Sequence, residues 1–280
     1  NNILKGGAGN DTINGGGGAD RMYGGLGDDI YVINGGDTIV EEFDAGIDLV
    51  DSYVSYNLGA NIENLLLDGA ATIDGTGNAL DNRIFGNSAN NVLDGGGGKD
   101  IMEGRYGDDT YVTDGDDVIT EGVAAGIDTV RSSATYTLLV NLENLVLTGA
   151  AAIDGMGNAL DNHIVGNAAS NRLDGQAGAD RMEGGLGNDT YVADRYDVII
   201  EGVDAGVDTV RSSASHTLGQ NFENLVLTGA AAVNGAGNAL NNRITGNAAN
   251  NRINGKGGRD VLTGGRGDDV FDFDALSDSL

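Results

Sequence analysis

The chain has 280 residues, 49 of them glycine, with no proline, cysteine or tryptophan and a formal net charge of −28. So much glycine with only 5% aromatic residues leaves too little bulky apolar material for one thick core, and the lack of cysteine excludes a disulfide framework and cysteine-ligated zinc. The acidity argues against nucleic acid and anionic membranes as partners, since both need a positive face, and makes cations the expected ones.

The start, Asn1-Asn2-Ile3-Leu4-Lys5, is no signal peptide, and no apolar run approaches the roughly 18 residues of a membrane span. Because the chain opens inside a repeat, we read it as a segment of a longer protein whose export signal lies elsewhere. The repeat is nine residues long and clearest at Gly6-Gly7-Ala8-Gly9-Asn10-Asp11-Thr12-Ile13-Asn14. Its form is Gly-Gly-x-Gly-x-Asp-x-U-x, where U is large and apolar. Copies follow from Gly15 with Asp20 and from Gly24 with Asp29. Others start at Gly95 with Asp100, Gly104 with Asp109, Gly175 with Asp180, Gly184 with Asp189, Gly255 with Asp260 and Gly264 with Asp269. The second glycine is replaced at Arg105, Gln176 and Lys256. The fourth position keeps Gly9, Gly18, Gly27, Gly98, Gly107, Gly178, Gly187, Gly258 and Gly267.

Glycines permit the positive φ of a tight turn, and the x-U-x triplet after each aspartate is extended and sends only U inward. Each nonapeptide is therefore half a coil. The U residues Ile13, Met22, Tyr31, Ile84, Leu93, Met102, Tyr111, Ile164, Leu173, Met182 and Tyr191 are expected to stack as a slim core. Between the nonapeptide blocks lie stretches rich in β-formers, such as Asp117-Val118-Ile119-Thr120-Glu121 and Asn144-Leu145-Val146-Leu147. They are expected to form wider coils of the same solenoid. Glu41, Glu121, Glu201, Asp48, Asp128 and Asp208 recur in them and read as solvated turn residues.

A second period is superimposed: Gly27-Asp28-Asp29-Ile30-Tyr31-Val32 returns 80 residues on as Gly107-Asp108-Asp109-Thr110-Tyr111-Val112, and again from Gly187 and Gly267. The constant step is expected of copies that stack in register. It divides the chain into a partial unit at 1–36, repeat units at 37–116 and 117–196, and a unit with a closing segment at 197–280.

The nonapeptide resembles that of the RTX, or haemolysin-type calcium-binding, proteins. The ending Phe271-Asp272-Phe273-Asp274-Ala275-Leu276-Ser277-Asp278-Ser279 also looks like the closing segment of the serralysin-type C-terminal domain. The resemblance implies an all-β fold, a right-handed parallel β-roll, with Ca²⁺ between each loop and the loop two repeats later. The sixth-position aspartates and loop carbonyls would hold it, which suits a hard cation that takes six to eight oxygens. By that rule Asp11 and Asp29 form the one nonapeptide pair with both aspartates. Asparagine is the first partner in Asn91 with Asp109, Asn171 with Asp189 and Asn251 with Asp269, and in a second mixed series Asn2 with Asp20, Asn82 with Asp100, Asn162 with Asp180 and Asn242 with Asp260. Asp37, Asp117 and Asp197 stand 17 residues beyond Asp20, Asp100 and Asp180, one short of the regular step. Asparagine and aspartate also fill solenoid turns without metal, as ladders bonding the backbone. For the asparagine loops both readings stay open.

No catalytic constellation stands out. His163 and His216 lie at unrelated places in the 80-residue unit, in no zinc motif, and read as surface residues. Ser132, Ser133, Ser212 and Ser213 recur between copies, as a nucleophile need not. The expected function is a non-enzymatic, calcium-dependent structural region of a secreted bacterial protein, an adhesin, fibre or exoprotein stalk exported by the type I route. The alternative is the non-catalytic region of a secreted hydrolase or polysaccharide-modifying enzyme. Carbohydrate binding and self-association are left open.

Overall fold

The structure is a computed structural model, describing residues 1–273. The closing segment from Asp274 onwards, and with it most of the serralysin-like ending, lies outside the described residues. Every regular element among them is a short strand, and every strand pairing is parallel. The architecture is a β-solenoid matching a right-handed β-roll. Contacts divide the chain into two compact units, Asn1–Ser132 with Leu139–Leu142, and Ser133–Leu138 with the chain from Glu143 on.

In the first unit one face is a ladder of Thr12–Asn14, Ile30–Ile33, Leu49–Ser52, Asn64–Leu67, Arg83–Phe85, Ile101–Glu103 and Val118–Thr120. The other face carries Ile3–Ala8, Arg21–Leu26 and Thr38–Val40, then Tyr56–Asn57, Gly75–Thr76, Val92–Asp94, Thr110–Thr113 and Thr129–Ser132. The second unit repeats the plan. One of its faces contains Gly155–Met156, Arg172–Asp174, Thr190–Ala193, Thr209–Ser212, Asn224–Leu227 and Arg243–Thr245.

The triplets behave as their alternation requires: in Thr12–Asn14 only Ile13 is buried. The U residues from Ile13 to Tyr191 are at most 5% exposed. In register they build a continuous apolar column, Ile13 on Tyr31, Tyr31 on Val50, Val50 on Leu65, Leu65 on Ile84, Ile84 on Met102 and Met102 on Ile119. Each fully buried side chain of this size contributes about 1.5–3 kcal/mol of transfer free energy. Gly75 occupies a core position because an added Cβ would press on Leu65 and Ile84.

The connecting stretches are not wider coils. Tyr31 pairs with Val50, Val50 with Leu65 and Leu65 with Ile84, so successive turns differ from the regular step of 18 in both directions. The column starting at Tyr31 reaches Met102 after four coils, whereas Tyr111 pairs with Leu93 and Val130 on the opposite face. In the first unit the 80-residue period therefore spans four and a half coils, and the copies at Tyr31 and Tyr111 occupy opposite faces.

Candidate metal centres

The loops at the two edges carry the acidic residues. At one edge of the first unit the N–H of Asp11 donates to Asp29 Oδ1 at 2.7 Å, that of Asp29 to Asp48 Oδ1 at 2.8 Å, and that of Asp48 to Glu63 Oε2 at 2.9 Å. The same edge continues with Asn82 to Asp100 Oδ1 at 2.7 Å and Asp100 to Asp117 Oδ1 at 3.0 Å. At the opposite edge Asp20 donates to Asp37, Asn91 to Asp109, and Asp109 to Asp128. The second unit repeats this with Asp180 to Asp197, Asn171 to Asp189 and Asp189 to Asp208, and also Asn242 to Asp260 and Asn251 to Asp269. Each sixth-position aspartate thus spends one oxygen on the coil before it, and irregular steps of 17 and 19 residues make the same bond.

The second oxygen is left over. Oδ2 of Asp11, Asp20, Asp29, Asp37, Asp48, Asp100, Asp109, Asp180, Asp189 and Asp208 is buried with no hydrogen-bond partner. Asp260 and Asp269 keep the Oδ1 bond near the end of the described residues. A bare carboxylate oxygen without water or donor is costly to bury, so the row calls for cations. Among the described residues the arginine and histidine ion pairs fall elsewhere, at Asp174, Glu183 and Asp272. The all-oxygen donor set fits Ca²⁺, with neither nitrogen nor sulfur ligands to favour a softer ion. The paired Asp11 and Asp29 both keep a free Oδ2, and they are the nonapeptide residues that would hold the ion between two regular loops.

Electrostatics follow from this crowding. Burial pushes Asp109, Asp180, Asp189, Asp48 and Asp208 each up to about 6, against a pull downwards from the N–H bond and with repulsion from neighbouring carboxylates added. Asp100 moves the same way through burial and its neighbour Asp117.

The glycines divide by role. The fourth position takes φ from 104° at Gly9 to 138° at Gly178, a region that side chains avoid. At the second position Arg105, Gln176 and Lys256 sit at φ 78°, 68° and 61°, within the left-handed well that non-glycine residues enter at modest cost. The first position has no positive φ. It is glycine because a Cβ at Gly6, Gly15 or Gly95 would meet the Oδ2 of the aspartate five residues later. This reserved space was not legible as a φ requirement.

Asparagine loops are built differently. Asn91 Oδ1 accepts the N–H of Asn87 at 2.9 Å, and its Nδ2 donates to Ile73 O at 2.6 Å. Asn171 and Asn251 do the same towards Ile153 and Val233, and Asn82 towards Ile62 and Glu63. Each amide N–H bonds a main-chain carbonyl of the preceding coil, so these side chains form amide ladders.

The acidic residues of the connecting coils are not solvated. Asp48, Asp128 and Asp208 are at most 1% exposed, and Glu41, Glu121 and Glu201 at most 9%. Asp29, Glu41 and Asp48 bring one ligand oxygen each to within 4.8 Å of one another, as do Asp109 with Glu121 and Asp128, and Asp189 with Glu201 and Asp208. The glutamate is oriented by a core tyrosine: Tyr31 donates its hydroxyl to Glu41, Tyr111 to Glu121 and Tyr191 to Glu201. Burial, then the glutamate itself, pushes each tyrosine hydroxyl far up, which keeps it a donor. The 80-residue recurrence was the one sequence signal for these groups.

The histidines join no such site. His163 Nε2 lies 2.9 Å from Glu183 Oε1, which Arg181 also engages, and His216 is half-buried with burial lowering its pKa. Ser132 and Ser212 are buried; the Ser212 hydroxyl bonds Ala214 O.

Comparison with curated proteins finds no match. The family model of the RTX calcium-binding nonapeptide repeat matches four times, at residues 1–31, 76–111, 156–191 and 236–280, a little over half of the chain. These segments carry the sixth-position aspartates from Asp11 to Asp269, while Asp37, Asp48 and Asp208 lie between them, and the chain belongs to the RTX calcium-binding nonapeptide repeat family.

Proposed function

We propose that the chain is a calcium-dependent structural region of a secreted or cell-surface bacterial protein, serving as a stalk, fibre or adhesin segment and taking no part in catalysis. The observation that carries this is the row of buried, unbonded aspartate oxygens along the loop edges, which only bound cations or protons can neutralise. Glycine-rich loops lose much entropy on ordering, and a charge of −28 repels itself, so the thin apolar column needs the ions to hold. Binding free energy then becomes folding free energy. Such a chain stays extended where calcium is scarce and folds outside the cell, which suits export by the type I route. On this reading the 80-residue units, 37–116 and 117–196 among them, are the modules of the segment. Nucleic acid is not a partner on this reading, because the acidic edges repel phosphate. Recurrence of Ser132 and Ser212 at one place in successive copies supports a non-catalytic role.

Circular dichroism of the chain in excess chelator, followed by calcium addition, tests the proposal. The expected result is little β-signal without the ion and a cooperative gain at about 10⁻⁴ to 10⁻³ M calcium. A native-like signal in chelator at neutral pH, unchanged by calcium, would overturn it.

A further inference from the structure

We infer that Asp29, Glu41 and Asp48 form a calcium site of a second kind, outside the pairing of one nonapeptide loop with another, and that Asp109, Glu121 and Asp128 and then Asp189, Glu201 and Asp208 repeat it. The inference deepens the calcium-dependent reading and rests on it. Each site joins three chain segments: a nonapeptide loop, the turn after the second strand that follows it (Thr38–Val40 in the first copy), and the residue just before the third (Leu49–Ser52).

Proximity of three carboxylates is not by itself a site, and two further observations point to a ligand. Asp29 and Asp48 are each 1% exposed with an unpartnered Oδ2, and the same holds at Asp189 and Asp208. These oxygens also share one spot. Beside Gly24, the place a Cβ would take is contacted most closely by Asp29 Oδ2, Glu41 Oε1 and the Tyr31 hydroxyl together, so the three oxygens converge where the side chain is missing. Gly104 and Gly184 stand in the same relation to Asp109 with Tyr111 and to Asp189 with Tyr191.

The tyrosine and the turn fix the glutamate. Glu121 Oε1 accepts from Tyr111 and from the N–H of Gly104, and Oε2 from the N–H of Gly122 at 3.0 Å. A group held by donors on both oxygens keeps its position before an ion arrives. Three converging carboxylates favour a divalent cation, and flexible carboxylate geometry suits calcium better than magnesium. The ion would clamp each nonapeptide block to the connecting coil after it, where the regular loop pairing stops.

The test counts bound calcium by flow dialysis in the full chain and in the triple variant Glu41→Gln, Glu121→Gln, Glu201→Gln. Glutamine keeps an acceptor for the tyrosine and removes the charge. The expected result is loss of three ions per chain at saturation, with the remaining sites still binding. If wild type binds calcium and the folded variant loses none, the second class of site is overturned while the calcium-dependent reading stands; if wild type binds no calcium, both fall. Should the variant fail to fold, terbium anomalous scattering from crystals of the wild type decides. Peaks among Asp29, Glu41 and Asp48 and their two counterparts support the inference, and peaks confined to loops joining two nonapeptides overturn it.

Discussion

Asp29 gives its main-chain N–H to Asp48 Oδ1 at 2.8 Å while taking the N–H of Asp11 on its own Oδ1 at 2.7 Å. One residue thus links three consecutive coils and still has a buried oxygen to spare. Replacing Asp29 by alanine keeps the main-chain bond to Asp48 but removes the acceptor for Asp11 and a carboxylate shared by both kinds of loop contact. We expect Asp29→Ala to cost more calcium-dependent stability than Asp11→Ala, by about 1–3 kcal/mol. Urea denaturation of both variants at saturating calcium measures the difference, and equal losses would contradict the shared role.

The asparagine loops make a sharper prediction, because the rule that affinity rises with ligand charge favours Asn91→Asp as a way to tighten a site. Geometry reverses it. The Asn91 amide donates to Ile73 O at 2.6 Å from a position only 2% exposed, and a carboxylate there would set oxygen against oxygen. The variant should gain no calcium affinity and lose about 1–3 kcal/mol of stability. Calorimetric titration and thermal unfolding check the two halves, and a tighter added site would show that the amide ladder can be converted.

Glycine replacement should depend on position within the repeat. Gly107 has φ 117°, and an added Cβ would lie 2.7 Å from the carbonyl carbon of Ala89, so Gly107→Ala should destabilise strongly. Arg105, at φ 78°, already bears the cost of a left-handed side chain, about 1–2 kcal/mol. Arg105→Gly relieves that strain, and the greater freedom of the unfolded chain offsets part of the relief. Thermal unfolding with calcium present should show a large fall for the first variant and a change within about 1 kcal/mol for the second.

The pH response should reverse when calcium is removed. Asp48, Asp109, Asp180, Asp189 and Asp208 are raised from 3.8 to about 6 in the folded chain, so between about pH 4 and 6 the folded state binds more protons than the unfolded state. Stability of the calcium-free fold therefore falls as pH rises through that window and levels off above it. With calcium the ion competes with protons for the same oxygens, and stability rises with pH instead. The β-signal in chelator should therefore be larger at pH 4.5 than at pH 7.5, whereas the urea midpoint in saturating calcium should be higher at pH 7.5 than at pH 4.5.

Much of the molecule was legible in its sequence. The residues from Ile13 to Tyr191 named for the core line it because a period of nine puts one apolar residue on each half coil. The carboxylate groups around Glu41 and Asp48 were not legible. Their burial depends on turns of 17, 19 and 15 residues that still return each chain segment to the same edge, as the bonds to Asp37, Asp48 and Glu63 show. A run such as Glu42-Phe43-Asp44-Ala45-Gly46 looks like any exposed turn, and Phe43 is indeed 86% exposed, while its neighbour Glu41 turns inward to Tyr31. Asparagine likewise has two readings in sequence, and only the direction of its amide separates them.

Tyr31 and Tyr111 lie on opposite faces of the first unit, so there the 80-residue step turns one copy by half a coil relative to the other. Within the first unit the junction around Glu41 and its copy around Glu121 therefore fall on opposite edges, so an ion bound at each would tie the coils together from both sides. Adding or deleting a single nonapeptide between them would shift the second by half a coil and put both on the same edge, leaving the other edge of the first unit without such a clamp.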